Sequence, residues 1–220
     1  KSVMIKNILQ IFRTASLALT FGLATPASAK LAESLVLSKQ GTTDLMRVQK
    51  HLNSSKTFKA RFLQVSSNGE YAEGQIFLQR PGRLRLIYDD PNPLLVVADG
   101  KHISFIDRNI DTATTLYLSM TPADLMLRES IGFFGNDVIV TSVNRTPGVV
   151  RIGLINTAEP DAGSIELVFS DRPMELRKWT VTDAQGIKTT VSLLGPTFDV
   201  PLNPNLFKYT PKQNKTFGDN

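Results

Sequence analysis

From Gly74 to Tyr88 the chain changes sides residue by residue around a single turn. Gly74, Ile76, Leu78 and Arg80 share one face, and Gln75, Phe77 and Gln79 share the other. Pro81-Gly82 reverses the direction, after which Leu84, Leu86 and Tyr88 form one face and Arg83, Arg85 and Ile87 the opposite one. A period of two predicts two antiparallel strands, each apolar on one side. Arg80 therefore ends an apolar column. Two readings stay open for it. Either the strand end meets water and the side chain snorkels out, or the cation is buried and has partners, because a buried unpaired charge costs several kcal/mol.

The same pattern repeats along the chain. Asp44 to Leu52 reads as a helix capped by Thr43, with Leu45, Val48 and Leu52 on one face and Arg47, Lys50 and His51 turned to solvent. Strands are expected at Phe58 to Leu63, Leu94 to Ala98, His102 to Ile106 and Asp111 to Leu118. More follow at Val138 to Val143, Val149 to Ile155, Ser164 to Phe169, Met174 to Thr182 and Ile187 to Leu194. Turn signals such as Asp99-Gly100, Thr146-Pro147-Gly148 and Gln185-Gly186 separate them. About ten short strands without strand–helix alternation predict a meandering antiparallel sheet that has to curl. Thr121-Pro122-Ala123-Asp124 starts a short helix in mid-sheet, with Leu125, Met126, Leu127 and Ile131 behind it and Gly132-Phe133-Phe134-Gly135 after. It is either a connector packed on the core or a lid with glycine hinges. Leu206, Phe207 and Tyr209 are expected to add a last strand.

Composition and charge narrow the setting. Lys1, Lys6 and Arg13 precede an apolar run from Ala15 to Ala24 and the small residues Ala27 and Ala29. That is the pattern of a secretory signal peptide spanning residues 1–29, with cleavage expected between Ala29 and Lys30. Residues 30–210 are then read as one domain and 211–220 as a polar tail. With no cysteine in the chain, neither a disulfide nor a lipid anchor on a cysteine is expected. The net charge of +5 falls to +2 without the leader, whose three basic residues meet no acid. No nucleic-acid partner is implied.

Catalytic chemistry finds little footing. His51 and His102, the two histidines, are read as surface residues. No cluster has metal-ligand spacing, no Gly-x-Ser-x-Gly elbow occurs, and Asp89-Asp90 sits in a proline-rich turn. Arg83 and Arg85 are read as a solvated face and Trp179 as a half-buried strand residue. The protein is expected not to be an enzyme and to use no cofactor and no metal.

The residues Gly74-Gln75, Arg80-Pro81-Gly82, Tyr88, Pro91 and Val97-Ala98-Asp99-Gly100-Lys101 carry a resemblance. This region resembles the signature of the periplasmic outer-membrane lipoprotein carriers, the LolA-like family, with weaker similarity from about Leu45 to Phe207. The resemblance implies a mainly β (α+β) fold, an incomplete antiparallel β-barrel, or half-barrel, with helices covering its concave hydrophobic face. It implies a periplasmic monomer that holds lipoprotein acyl chains in an apolar cavity and moves them from the inner to the outer membrane. Its implied partners are outer-membrane-directed lipoproteins, an inner-membrane ABC-type exporter and an outer-membrane receptor.

Onto this chain it places a lining of Ile76, Leu78, Leu84, Leu86, Ile103 and Phe105, with Leu125, Met126, Phe133 and Phe134 from the cover. Arg80 takes the place of the family's latch, donating to lid carbonyls near Pro122 to Leu127. Leu84, Leu86 and Ser104 stand where relatives often carry aromatics, which predicts a more aliphatic lining. A carrier of another lipid on the same scaffold, and a non-enzymatic envelope-sensing module, are the alternatives.

Overall fold

The computed structural model describes residues 37–121, 123–135, 138–157 and 160–209. The expected leader, Pro122 and the polar tail lie outside the described residues. Helix α1 (Lys39–Ser54) precedes six strands: β1 (Thr57–Ser66), β2 (Tyr71–Gln79), β3 (Arg83–Tyr88), β4 (Leu94–Asp99), β5 (His102–Asp107) and β6 (Thr112–Tyr117). A 3-10 turn (Leu118–Met120) and helix α2 (Ala123–Leu127) follow. Five more strands complete the sheet: β7 (Val138–Thr146), β8 (Val149–Asn156), β9 (Gly163–Asp171), β10 (Met174–Asp183) and β11 (Lys188–Phe198).

All eleven strands form one antiparallel sheet in the order β6-β5-β4-β3-β2-β1-β11-β10-β9-β8-β7. Strands β1 to β6 pair in sequence order, as do β7 to β11, and at the centre β1 pairs with β11. The edges are β6 and β7, which do not pair, so the sheet stays open. Extra residues in the ladders between Lys59 and Arg61, Val140 and Ser142, and Leu176 and Lys178 bend it further. This is the half-barrel architecture.

The topology dictates what covers the hollow side. The chain leaves the sheet at β6 and re-enters at β7, the opposite edge, so the intervening segment with α2 has to cross from rim to rim. α1 packs its apolar stripe of Leu45, Val48 and Leu52 beneath the same side, touching β7 and β10. Alternation holds along the strands. On β1, Phe58, Ala60 and Phe62 are buried and Lys59 is exposed; on β2, Ala72, Gly74, Ile76 and Leu78 are buried between exposed Glu73 and Gln75.

Four local readings are corrected. The first helix begins at Lys39, capped by the Ser38 side chain accepting from the Gly41 amide, rather than after Thr43. Asp44 consequently lies in mid-helix, 1% exposed, in a ring of ion pairs. Arg145 meets it at 2.5 Å and Arg47 at 3.3 Å, and both arginines also hold Asp171, at 2.6 and 2.8 Å. Arg47, expected in solvent, thus ties α1 to the end of β9, as Arg145 ties it to the end of β7, and the Arg47 hydrogen bond to Asp171 is the main cause holding that carboxyl below the usual range. Leu206 and Phe207 belong to a 3-10 helix (Pro204–Phe207), not a strand, because Asn203 caps it by accepting from the Asn205 amide and Pro204 starts it. This segment lies on the outer face, where Arg85 donates to the Leu206 carbonyl at 2.9 Å. Arg85 is therefore half-buried rather than solvated, and burial lowers its pKa.

Candidate functional site

Between the sheet and the crossing segment lies an apolar cavity of about 110 Å³. Its first wall is the N-terminal half of the sheet: Phe58, Ile76, Leu78, Leu84, Leu86, Val96 and Ile103. The ladder explains the grouping, since Ile76 pairs with Leu86, Leu78 with Leu84, and Ala98 with Ile103. The roof is α2, through Ala123, Met126 and Leu127. The second wall comes from the C-terminal half, through Ile165, Trp179, Val181, Thr189 and Val191, with Gln64 and Tyr88 between them and the first.

The sequence-derived candidates fall in several places. Ile76, Leu78, Leu84, Leu86, Ile103 and Met126 line the cavity. Phe105 and Phe133 are buried in the surrounding core, and Leu125 is half-buried against it. Phe134 is 53% exposed and does not line the cavity. The reason is the local path: the Phe133 amide donates to Gln49 Oε1 on α1, at 3.0 Å, which seats Phe133 inward and leaves its neighbour outside. Ser104 lies on the face away from Ile103 and Phe105, where its hydroxyl meets that of Thr115 at 2.9 Å. A serine there leaves the lining unchanged; the aliphatic character rests on Leu84 and Leu86.

Arg80 is buried, 7% exposed, at the rim of this cavity. Its Nε donates to the Met126 carbonyl of α2 at 3.0 Å. One terminal nitrogen donates to the carbonyls of Leu52 and, at 3.3 Å, Ser55. Leu52 is in the last turn of α1, so the cation sits at the negative end of that helix and satisfies carbonyls that have no intrahelical partner. Burial lowers its pKa to about 10, still a cation at neutral pH. A planar fork with several donors can serve two helices at once, which a lysine ammonium does less well.

Two further contacts hold the cover, and neither was foreseen from the sequence. The Gly82 amide donates to the Leu127 carbonyl at 2.7 Å, next to the Arg80 contact. Gly82 has φ +73°, and a Cβ there would lie 2.6 Å from the Gly100 Cα. The Arg80-Pro81-Gly82 turn and the Asp99-Gly100 turn are thus pressed together, which is why the two motifs belong to one feature. On the far side of the crossing, Asn53 brackets Ile131: Nδ2 donates to its carbonyl at 2.9 Å and Oδ1 accepts from its amide at 2.8 Å. Gln49 and Asn53 are four apart on a helix, hence on one face. That spacing was the available signal. The second cavity wall was legible as alternation but not as a wall, because which strands face β2 and β3 depends on the β1–β11 pairing.

His51 is half-buried rather than at the surface, set edge-on to Phe169 and Phe198 with ring centroids 6.3 and 5.8 Å apart. Burial depresses its pKa below 6.5. The buried Tyr88 hydroxyl, whose pKa burial raises, donates to Gln64 Oε1 at 2.8 Å. Among the described residues no group of His, Cys, Asp or Glu is arranged to hold a metal, and no helix is long and apolar enough to cross a membrane.

Comparison with known proteins places this geometry. Residues 53–210 match the family model described as outer membrane lipoprotein carrier protein LolA. An outer-membrane lipoprotein carrier protein of Pseudoalteromonas translucida is 25% identical over 200 residues, covering 84% of this chain and 92% of the relative. One from Pseudomonas syringae pv. tomato is 31% identical over 174 residues, 75% of this chain and 83% of the relative. A solved LolA superfamily protein from Nitrosomonas europaea aligns with a TM-score of 0.47 at 8% identity, covering 77% of this chain and 97% of that one. With the matched segment running from the end of α1 through every strand of the sheet, this chain belongs to the LolA family of outer-membrane lipoprotein carrier proteins.

Proposed function

We propose that the protein is a periplasmic, non-enzymatic shuttle that takes lipoproteins from an inner-membrane ABC-type exporter to a receptor at the outer membrane, sheltering their acyl chains in the cavity beneath α2. On this reading residues 30–210 act as one domain behind a cleaved leader. The carrying observation is an apolar hollow whose roof is clasped shut by a buried cation at its rim.

The need is set by the hydrophobic effect. Each methylene exposed to water costs about 0.8 kcal/mol, so a dozen cost roughly 10 kcal/mol and a lipoprotein does not cross water unaided. The donor and acceptor membranes shelter the chains as well as a pocket does, so transfer is close to thermoneutral and small biases set its direction. A carrier that bound too tightly would not unload.

The small volume of the cavity supports the second half of the reading. At about 110 Å³ it is smaller than the roughly 150 Å³ that admits one benzene, and far below the several hundred Å³ of common ligand pockets. An acyl chain enters only if α2 moves. In the empty state α2 hides apolar surface that would otherwise aggregate or adhere to membranes. Cargo displaces it, breaking the Arg80–Met126 and Gly82–Leu127 contacts, and reclosure helps expel the chains.

The test is release of a labelled lipoprotein from inner-membrane vesicles with and without the purified protein. Release into a soluble complex of both is the expected result; retention in the vesicles rejects the reading. Native mass spectrometry of protein isolated from cells separates lipoprotein cargo from free lipid by mass.

A further inference from the structure

The cavity wall is not uniformly apolar, and its polar groups are gathered at one end. Gln64, Tyr88, Trp179 and Thr189 line it with donors or acceptors among otherwise aliphatic and aromatic carbon. Strand register brings them together. Gln64 pairs with Val191, and Val191 with Trp179, so Gln64 and Trp179 flank one residue in a single row across β1, β11 and β10. Thr189 lies two residues from Val191 on β11, on the same face.

The hydrogen-bond pattern leaves this end unfinished. Gln64 Oε1 accepts from the Tyr88 hydroxyl, which fixes the carboxamide with its oxygen toward Tyr88. Among the described residues, the Gln64 NH₂, the Trp179 indole N–H and the Thr189 hydroxyl have no hydrogen-bond partner. Donors bordering an apolar cavity are costly to leave unmatched once water is expelled.

This end is also far from the clasp. On the β1–β2 ladder, Thr57 pairs with Gln79, the residue before Arg80, whereas Gln64 pairs with Ala72 at the other end of β2. Seven residues of strand separate the two positions, roughly 23 Å. The cavity therefore has an apolar end under Met126 and Leu127 and a donor-bearing end at Gln64.

We propose that Gln64, positioned by Tyr88 and assisted by Trp179 and Thr189, is the anchor for the carbonyl oxygen of an ester- or amide-linked acyl chain. Every acyl chain attached through oxygen or nitrogen begins with such an acceptor, and burying it unpaired is unfavourable. Anchored there, the chain runs toward the clasp, and its methyl end meets the roof at Met126 and Leu127. The acyl linkage is thereby told apart from an alkyl ether of equal length. This rests on the acyl-carrier reading above.

The test uses two synthetic diacylglyceryl-cysteine peptides of equal chain length, one ester-linked and one ether-linked, titrated into the exported protein. The wild type is expected to bind the ester about tenfold more tightly, the worth of one hydrogen bond. The double variant Gln64→Leu/Tyr88→Phe removes both ends of the wall's own hydrogen bond, so it orphans neither partner. It should lose the tenfold preference while holding the ether probe within twofold. Trp179→Phe keeps the ring, removes one donor and should lose a smaller part. With ¹³C-labelled ester carbonyls, the infrared stretch should shift to lower frequency in the wild type and return in the double variant. Equal binding of ester and ether by the wild type, or equal weakening of both by the variant, overturns the anchor and leaves the carrier reading standing. Failure of the wild type to bind either probe overturns both.

Discussion

Replacing Arg80 with leucine tests the clasp most directly. The guanidinium makes three contacts, one to the roof at Met126 and two to the end of α1 at Leu52 and Ser55. A hydrogen bond from a charged donor is worth about 1.5–3 kcal/mol. Only the Met126 contact has to break when α2 lifts, so about that much closing energy belongs to the roof. Cargo and closure compete for the same cavity. Removing the clasp should therefore tighten acyl binding by the corresponding factor, roughly 10- to 150-fold at 1.4 kcal/mol per decade.

Arg80→Leu should still load from inner-membrane vesicles but unload slowly to an outer-membrane acceptor, and the release rate of a fluorescent triacylated lipopeptide should fall by a similar factor. The two orphaned α1 carbonyls should lower thermal stability as well, which circular dichroism separates from the release defect. Arg80→Lys, with one point charge for a fork, should fall between. Release and affinity equal to wild type in a folded Arg80→Leu protein would refute the clasp.

Other substitutions probe the surroundings. Gly82→Ala should destabilise the fold by at least about 1–2 kcal/mol from the left-handed backbone alone, and more from the clash with Gly100, measured by urea unfolding. Asp44→Asn should cost about 2–3 kcal/mol in the same assay. That is less than the 3–5 of breaking a fully buried pair, because Arg47 and Arg145 remain 37% and 33% exposed. His51 has a folded pKa below its unfolded 6.5, owing first to burial, with Glu175 opposing and Arg80 adding to the shift. Unfolded chains thus take up the proton first as pH falls. Its contribution is intact above about pH 6.5 and lost as pH drops through the folded value, with a slope of up to about 1.4 kcal/mol per pH unit. Unfolding between pH 7.5 and 5 should show a decline that His51→Gln flattens.

Much of the architecture was legible because burial on a strand imposes a period of two. The face holding Ile76, Leu78, Leu84, Leu86 and Ile103 could be read from the alternation, and so could the oddity of a guanidinium at the end of that column. The short helix at Leu125 to Leu127 announced itself as an interruption. Less legible were features in which the partner is remote. Asp44 looked like a first-turn acid, although its nearest charge, Arg145, is 101 residues away. Phe134 looked as apolar as Phe133; only the Gln49 contact decides which of the two turns inward.

By itself, the order of residues determined which side of each strand is greasy, where the chain turns, and that one cation would need company. It did not determine which strands become neighbours. Pairing β1 with β11 makes β6 and β7 the two rims; that sends α2 across the hollow and sets Gln64 and Trp179 in one row. The neighbouring ladders do the rest: β3 on β4 sets Gly82 against Gly100, and β1 on β2 delivers the end of α1 to Arg80. Local periodicity is written by solvent on each segment separately, whereas these contacts join segments far apart in the chain, and only the closed packing of the whole sheet chooses among them.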